Sequence, residues 1–248
     1  MVFAAFFACY FLNALAPEIS PDGSSYHLGN VARLWRHQGL AWEFHSIYSS
    51  LSQGMEMLFL VAFCIGRHPA AAMVHMAFQA ALPLFILCYG RRFGFPRVGA
   101  FAALLTYACP VAGIAGISAY NDLTVATLIF AGFYLTQVNC ELSSTNTMFL
   151  IGLLSGFSYA VKYTAGLALP LAIGLTRGRR ILAISLGAAV TAGPWLLRNW
   201  IWLGNPTAPF LNSWFPNASW SSGAEHQYLA GLSQYPAFKS YWDFILQL

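Results

Sequence analysis

Long apolar runs separated by short polar breaks dominate the chain. The runs cover residues 2–16, 53–66, 69–89, 98–117, 122–138, 147–161, 165–175 and 181–197. Apolar runs of this kind, interrupted by Arg-rich or Pro/Gly-rich breaks, are typical of helices that cross a membrane, where a full crossing needs roughly 20 residues. The pattern therefore predicts an all-α, polytopic membrane protein, with further helices lying at the membrane surface.

The arginines between the runs predict the topology. They form two clusters, Arg91, Arg92 and Arg97, and Arg177, Arg179 and Arg180. Cytoplasmic loops carry an excess of Lys and Arg. Both clusters lie in the cytoplasm only if run 53–66 is interfacial or re-entrant rather than spanning. We therefore expect about seven transmembrane helices with the N-terminus inside, and an outward-facing tail.

Residues 17–66 are predicted to form a long outer loop after the first span. Within it, residues 28–37 have the pattern of a short amphipathic helix. Val31, Leu34 and Trp35 fall on one side of this helix, whereas Arg33 and Arg36 point away. We expect the helix to lie on the membrane surface.

Composition excludes a soluble domain. Only 8% of the residues are charged and 58% are hydrophobic, whereas soluble domains carry roughly 25% charged residues. The net charge of +4 comes from residues in loops and does not indicate a surface that binds nucleic acid. In the predicted topology seven of the 8 acidic residues face outward, and Glu141 alone faces the cytoplasm. Acids gathered at one surface favour chemistry on that side over transport through the midplane.

Asp22 is the first candidate for such chemistry. It lies between Pro21 and Gly23, after the first apolar run, and the prolines and glycine of this stretch are expected to stop the helix. A carboxylate here can act as a general base or orient an acceptor hydroxyl, or it can simply cap a turn or helix. Tyr26 and His27 follow, and either bind substrate or anchor the loop at the interface.

Three further residues carry charges at predicted outer ends of spans. Asp122 opens a span, where it is either a helix cap or a second site carboxylate. Lys162 lies between two short runs and either snorkels to the interface or binds a phosphate. Arg198 ends the last run on the outer side, against the charge bias, which favours a phosphate or carboxylate partner.

Three stretches, taken in order, resemble the C-type (GT-C) integral-membrane glycosyltransferases, specifically the bacterial relatives of protein mannosyltransferases and aminoarabinose transferases. The stretches are Pro21-Asp22-Gly23-Ser24-Ser25-Tyr26-His27, then Tyr120-Asn121-Asp122-Leu123, then Lys162-Tyr163-Thr164-Ala165-Gly166-Leu167 with Pro194-Trp195-Leu196-Leu197-Arg198-Asn199-Trp200 and Gly204-Asn205-Pro206-Thr207-Ala208-Pro209-Phe210. The resemblance covers about residues 1–210. Many relatives carry a second acidic residue beside the first Asp, and this chain does not.

The resemblance implies an enzyme of the bacterial inner membrane that takes a sugar from a polyprenyl-phosphate lipid. It implies transfer to an acceptor on the periplasmic face, with Asp22 as the base and Asp122 as a second acidic residue. Lys162 and Arg198 would hold the lipid phosphate. Because some relatives bind a divalent metal and others work without one, no metal ligand is assigned.

The resemblance also bears on domain organisation. We expect residues 1–210 to form the membrane-embedded core and residues 211–248 to begin a further outer region, so the chain is interpreted as a piece of a longer protein. The alternatives are a multi-span transporter, a non-catalytic membrane subunit, or an inactive fragment of the same family. A transporter needs polar groups within spans, and the few present are His75, Gln79, Thr106 and Ser155.

Overall fold

A computed structural model describes residues 1–40, 47–138, 144–178, 180–217 and 219–233. Within these ranges the chain is helical and has no strand, so the all-α prediction is confirmed. The helices are α1 (Val2–Ala14), α2 (Leu28–His37), α3 (Ile47–Ser50), α4 (Gly54–Arg92), α5 (Pro96–Ala108), α6 (Pro110–Ile117), α7 (Asp122–Val138), α8 (Thr145–Val161), α9 (Ala168–Leu175), α10 (Ile181–Leu203) and α11 (Ser222–Ser233), with a π-helical turn at Gly23–His27 and a 3₁₀ turn at Tyr163–Leu167. The chain divides into unit 1 (Met1–Trp195) and unit 2 (Leu196–Leu248).

Two of the described helices, α4 and α10, are long and apolar enough to cross a membrane. The bent pair of α5 and α6 makes a third if it forms one span. Four shorter apolar segments accompany them, at Val2–Ala14, Asp122–Val138, Thr145–Val161 and Tyr163–Leu175. Two or three spans are thus supported by length and composition, which is fewer than the seven predicted.

Helix α4 joins two of the predicted runs across a break. Gly66 (φ −138°, ψ 15°) and Arg67 (φ 61°, ψ −144°) have non-helical backbone angles inside it. The break falls where run 53–66 was separated from run 69–89, because glycine and the proline at position 69 both disfavour a straight helix. The boundary between these two segments is therefore confirmed.

Run 98–117, predicted as one span, consists of two helices bent by 60°. Pro110 is the first residue of α6 and Cys109 before it is extended (φ −62°, ψ 121°). Proline has no backbone N–H to continue the ladder of α5, and it disfavours the α conformation in the residue before it. This single residue explains the bend.

The core of unit 1 is built on α4. Its largest cluster of buried residues joins α2, α4, α7 and α8, and comprises Leu28, Val31, Met55, Phe59, Phe63, Ala71, Ala119, Leu128 and Val161. Helix α2 has its predicted bounds, and Leu28 and Val31 of its apolar face pack into this cluster. Val31 and Leu34 are buried, whereas Trp35 keeps 39% of its surface exposed.

Helices α8 and α10 approach each other closely through glycine. A Cβ atom at Gly152 would collide with the carbonyl oxygen of Ile184, and one at Gly156 would collide with that of Ala188. The Gly-x-x-x-Gly spacing of these residues lets two helices pack backbone against backbone. A second close approach joins Gly90 of α4 to Gly99 of α5.

Unit 2 contains a polar network of asparagines after α10. Asn205 donates to the carbonyl oxygen of Phe210 (2.9 Å) and to Oδ1 of Asn212 (3.0 Å). Glu225 of α11 accepts hydrogen bonds from the backbone N–H groups of Leu211 and Asn212. Burial raises the pKa of the Glu225 carboxyl, but these hydrogen bonds outweigh it and leave the pKa lowered. The segment 204–210 is thus held as a structural turn.

Candidate active site at the acidic end of unit 1

The segment that carries Asp22 is helical and is not the irregular loop predicted. The helix begins at Pro21, and the π-helical turn runs straight into α2. Ser20 caps it: its Oγ accepts from the Gly23 N–H (3.2 Å) and its carbonyl oxygen accepts from the Ser24 N–H (3.0 Å). Proline in the interior of a helix interrupts it, but at the first helical position no backbone N–H is needed for the helix. Turns of the π type occur frequently at functional sites.

Asp22 stands exposed at the start of this turn. No hydrogen bond or ion pair joins its carboxylate to another group in the described ranges. Burial raises the pKa of the Tyr26 phenol, and the negative charges of Asp22, Glu56 and Asp122 raise it further. The three carboxylates therefore share one electrostatic environment around Tyr26. We call this region, with Glu18, Asp22, Glu56 and Asp122, the acidic end of unit 1.

Tyr26 itself is held by aromatic contacts. Its ring stacks on that of Tyr48 with centroids 4.2 Å apart and planes 6° apart, and lies 4.3 Å from the His27 ring. Stacking of this kind fixes the ring plane without consuming the hydroxyl group. The phenol is thus oriented within the acidic end.

His27 is buried beneath this turn. It is 2% exposed, and its Nδ1 lies 2.5 Å from Oε1 of Glu56, which is 4% exposed. The other oxygen of Glu56, Oε2, has no hydrogen-bond partner among the described residues. The sequence predicts that His27 binds substrate or anchors the loop. In the structure it lies inside the fold, where Glu56 fixes its ring.

Glu18 connects the Asp22 segment to the turn before Asp122. Its Oε1 accepts from the Ser20 N–H (2.8 Å) and its Oε2 accepts from the Ala119 N–H (2.5 Å). Gly23 packs directly on this carboxylate, since a Cβ there would lie 2.7 Å from Cδ of Glu18. A single side chain thus sets the position of the two candidate aspartates relative to each other.

Asp122 and Lys162 form an exposed ion pair. Their Oδ1 and Nζ atoms are 2.6 Å apart, with 54% and 41% of the respective side chains exposed. Asp122 is the first residue of α7 and Lys162 follows the last residue of α8. Each charge therefore also complements the dipole of its own helix. Asn121 completes the junction, because its Nδ2 donates to the Val161 carbonyl oxygen (3.1 Å).

His75 anchors the same turn from below. Its Nδ1 lies 2.9 Å from the Ser118 carbonyl oxygen, and its Nε2 accepts from the Leu123 N–H (3.1 Å). Only a neutral imidazole can donate at one nitrogen and accept at the other. His75 thus acts as a cap of α7, which explains why a lone histidine is buried in α4.

Arg198 belongs to unit 2. It is 8% exposed, and its Nε and Nη2 donate to Oδ1 of Asn199 at 3.0 and 2.8 Å. Asn199 in turn donates to the Ala208 carbonyl oxygen (3.1 Å). Arg198, which is predicted to bind the lipid phosphate, is therefore hydrogen-bonded within its own unit.

Sequence analysis missed the roles of Glu18 and Glu56. One signal was available for Glu56, which is the acidic residue inside apolar run 53–66. Glu43, Glu141, Asp243 and Arg179, which entered the topology prediction, lie outside the described residues.

The described residues of the acidic end do not provide the donor set of a metal site. Among the described residues, no three His, Cys, Asp or Glu side chains group as ligands for one ion. No chemical step is therefore derived through a metal. Comparisons with protein-family models, with curated proteins and with solved structures return no match for this chain.

Proposed function

We propose that the chain is a membrane-embedded glycosyltransferase that moves a sugar from a polyprenyl-phosphate lipid to a hydroxyl acceptor at the acidic end of unit 1. The observation that supports this most is the gathering of Asp22 and Asp122, 100 positions apart in sequence, around one tyrosine with Lys162 beside them. An exposed carboxylate that has no partner among the described residues, near a charged pair, is an arrangement suited to acid–base chemistry.

In the proposed reaction Asp22 takes the proton of the acceptor hydroxyl. The acceptor oxygen attacks the anomeric carbon, and the bond from that carbon to the phosphate oxygen breaks. The electron pair leaves with the polyprenyl phosphate, and the anomeric configuration inverts. Lys162 is exposed enough to stabilise the charge that grows on the phosphate, because its pairing with Asp122 can be exchanged in solvent. The phosphate-binding role of Arg198 rests on the resemblance alone.

We also propose that the shorter apolar helices of unit 1 cross the inner membrane, giving seven spans. In support, His75 of α4 meets the start of α7, and Asn121 meets the end of α8. Gly90 of α4 meets the start of α5, and Arg180 bonds to Thr145 at the start of α8. Successive segments therefore alternate in direction. With this orientation the acidic end faces the periplasm and the arginine clusters face the cytoplasm.

The transporter alternative has less support. A transporter would use four polar side chains, and three of them are hydrogen-bonded to backbone groups. Thr106 and Ser155 bond within their own helices, to Ala102 and Ile151, and His75 bonds to Ser118 and Leu123. Gln79 donates to Ala112, and its Oε1 is left buried without a described partner. These groups make no continuous polar path.

The proposal is tested by sugar transfer in membranes that contain a polyprenyl-phosphate monosaccharide. Asp22→Asn is compared with wild type and with Ser25→Ala, a change at an exposed neighbour on the same turn. We expect Asp22→Asn to lower transfer by about 10²-fold or more, as loss of a general base does, and Ser25→Ala to leave it unchanged. Equal transfer by all three proteins would remove Asp22 from the mechanism, and no transfer by wild type would reject the transferase.

A further inference from the structure

The end of α10 and the segment after it have an unusual composition. Residues 199–224 contain no Asp, Glu, Lys, Arg or His. The same stretch holds half of the chain's 8 tryptophans, which are Trp200, Trp202, Trp214 and Trp220. Soluble domains carry roughly 25% charged residues, whereas tryptophan is enriched where a membrane meets water. The composition therefore indicates a segment that lies at a membrane–water interface.

The chain folds back on the end of α10, which is a candidate membrane span. Asn199 lies about one helical turn before the last residue of α10, and its Nδ2 donates to the Ala208 carbonyl oxygen (3.1 Å). Asn205 then donates to the Phe210 carbonyl oxygen and to Oδ1 of Asn212. All of these residues belong to unit 2. The bonds therefore keep the start of the following segment close to the last turn of the span.

A turn in this segment exposes three large apolar side chains. The exposed fractions are 42% for Leu211, 76% for Trp214 and 36% for Phe215. The backbone N–H groups of Trp214 and Phe215 both donate to the Leu211 carbonyl oxygen, at 3.0 and 3.1 Å, and so close the turn. Apolar side chains of this size that are exposed together mark sites of interaction with a protein or a membrane. We call residues 211–215 the Trp214 turn.

Polar groups hold the Trp214 turn in one conformation. Leu211 has a φ of 57°, which residues with a side chain rarely adopt. Glu225 of α11 accepts from the backbone N–H groups of Leu211 and Asn212 (2.9 Å each) and from Nδ2 of Asn212 (3.0 Å). Hydrogen bonds to a carboxylate are strong enough to offset the unfavourable backbone conformation. The three apolar side chains are thus exposed on a fixed support.

We infer that the Trp214 turn inserts into the headgroup region of the bilayer, next to the end of α10, and binds zwitterionic phospholipids there. Its apolar side chains fit the boundary with the acyl chains, and the indole N–H and the backbone fit the polar headgroups. Anionic lipids attract basic segments, and residues 199–224 carry no charge. Trp200 and Ile201 at the end of α10 are exposed too, as expected where a span meets the interface. The inference needs α10 to span and does not rest on the proposed function.

The test is fluorine NMR of the full chain, labelled with fluorotryptophan, in phosphatidylcholine nanodiscs. The resonance of Trp214 is identified by its loss in Trp214→Phe. One sample contains phosphatidylcholine with a nitroxide near the headgroup end of an acyl chain, and another contains a water-soluble gadolinium chelate. We expect the lipid nitroxide to broaden the Trp214 resonance until it is lost and the chelate to leave it visible. A resonance that survives the lipid nitroxide, or that the chelate removes, would overturn the inference. Survival with both probes would show that protein covers the turn, from a second copy or another partner.

A variant tests the support of the turn. Glu225→Ala removes the acceptor of three hydrogen bonds, so the Trp214 resonance should become less sensitive to the lipid nitroxide. Gln227→Ala is the matched control, because it changes an exposed residue of the same helix, and it should behave like wild type. Equal sensitivity in Glu225→Ala and wild type would overturn the role of Glu225 in holding the turn. These measurements involve no turnover, so their outcome is separate from that of the sugar-transfer assay.

Discussion

Two side-chain pairs of almost equal length stand at the acidic end and differ in burial. His27 and Glu56 are 2.5 Å apart with 3% and 5% of their side chains exposed, whereas Lys162 and Asp122 are 2.6 Å apart with 41% and 54% exposed. Distance alone would rank them together. Burial separates them, because removing one partner of a buried pair strands a polar group in the interior, whereas water replaces a lost partner at the surface.

This difference divides the acidic end into a scaffold and a working surface. The buried pair ties the π-helical turn to α4 and so fixes the segment that carries Asp22. The exposed pair and Asp22 remain accessible to solvent. A site that carries out chemistry needs both, since reacting groups are precise only when buried neighbours hold them.

The largest effect is expected at the buried pair. Glu56→Ala leaves His27 without its partner and should lower the free energy of unfolding by about 3 kcal/mol. Reversible unfolding in mixed micelles measures it. Glu56→Gln, which keeps an acceptor for the imidazole, should cost clearly less. A loss in Glu56→Ala below about 0.5 kcal/mol, the usual range of surface changes, would contradict the scaffold role.

A smaller effect is expected for Glu18→Ala. It removes the acceptor of two backbone N–H groups, each worth about 1 kcal/mol or more when the acceptor is charged. Because Glu18 joins the Asp22 segment to Ala119, hydrogen exchange should accelerate at both the Ser20 and the Ala119 amides. Faster exchange at Ser20 alone would show that the carboxylate does not couple the two segments.

The exposed pair should contribute little to stability. Lys162→Met should change the free energy of unfolding by about 0–1 kcal/mol, and less at high salt, because solvent screens the pair. Sugar transfer, in contrast, should fall strongly if Lys162 stabilises the leaving phosphate. A large stability loss with unchanged transfer would reverse the contrast between the two pairs.

Tyr26 is expected to have no effect at neutral pH and to matter only at alkaline pH. The pKa of its phenol in the folded protein is raised above the ordinary value of 10.0. Above pH 10 the unfolded chain therefore loses this proton before the folded one does, so stability should fall as pH rises through that region. Tyr26→Phe should flatten this part of the stability profile. An identical slope in the variant would mean that other groups cause it.

Local sequence signals predicted the helices well. The bounds of α2 and α7 agree with the structure, because turn-forming and polar residues flank their apolar patterns. The break in α4 falls between runs 53–66 and 69–89, at Gly66 and Pro69. There are two exceptions. Pro21 is expected to stop the helix although it occupies the first helical position, where proline is accepted, and Pro110 divides run 98–117 into two helices.

The long-range contacts of the site were not predictable. His27 and Glu56 are 29 residues apart, and Glu18 and Ala119 are 101 apart. Nothing in the local pattern of either partner identifies the other, since such contacts depend on how α4 and the turn before α7 pack. The same holds for α2, whose apolar face was equally suited to a bilayer and to α4.

The central claim is that Asp22 works as a base at a periplasmic transfer site. Its most direct test is release of polyprenyl phosphate from a labelled polyprenyl-phosphate sugar by the purified chain in nanodiscs with a hydroxyl acceptor. The claim predicts release that depends on the acceptor and is lost in Asp22→Asn while the unfolding free energy stays unchanged. Release by Asp22→Asn at the wild-type rate would contradict it.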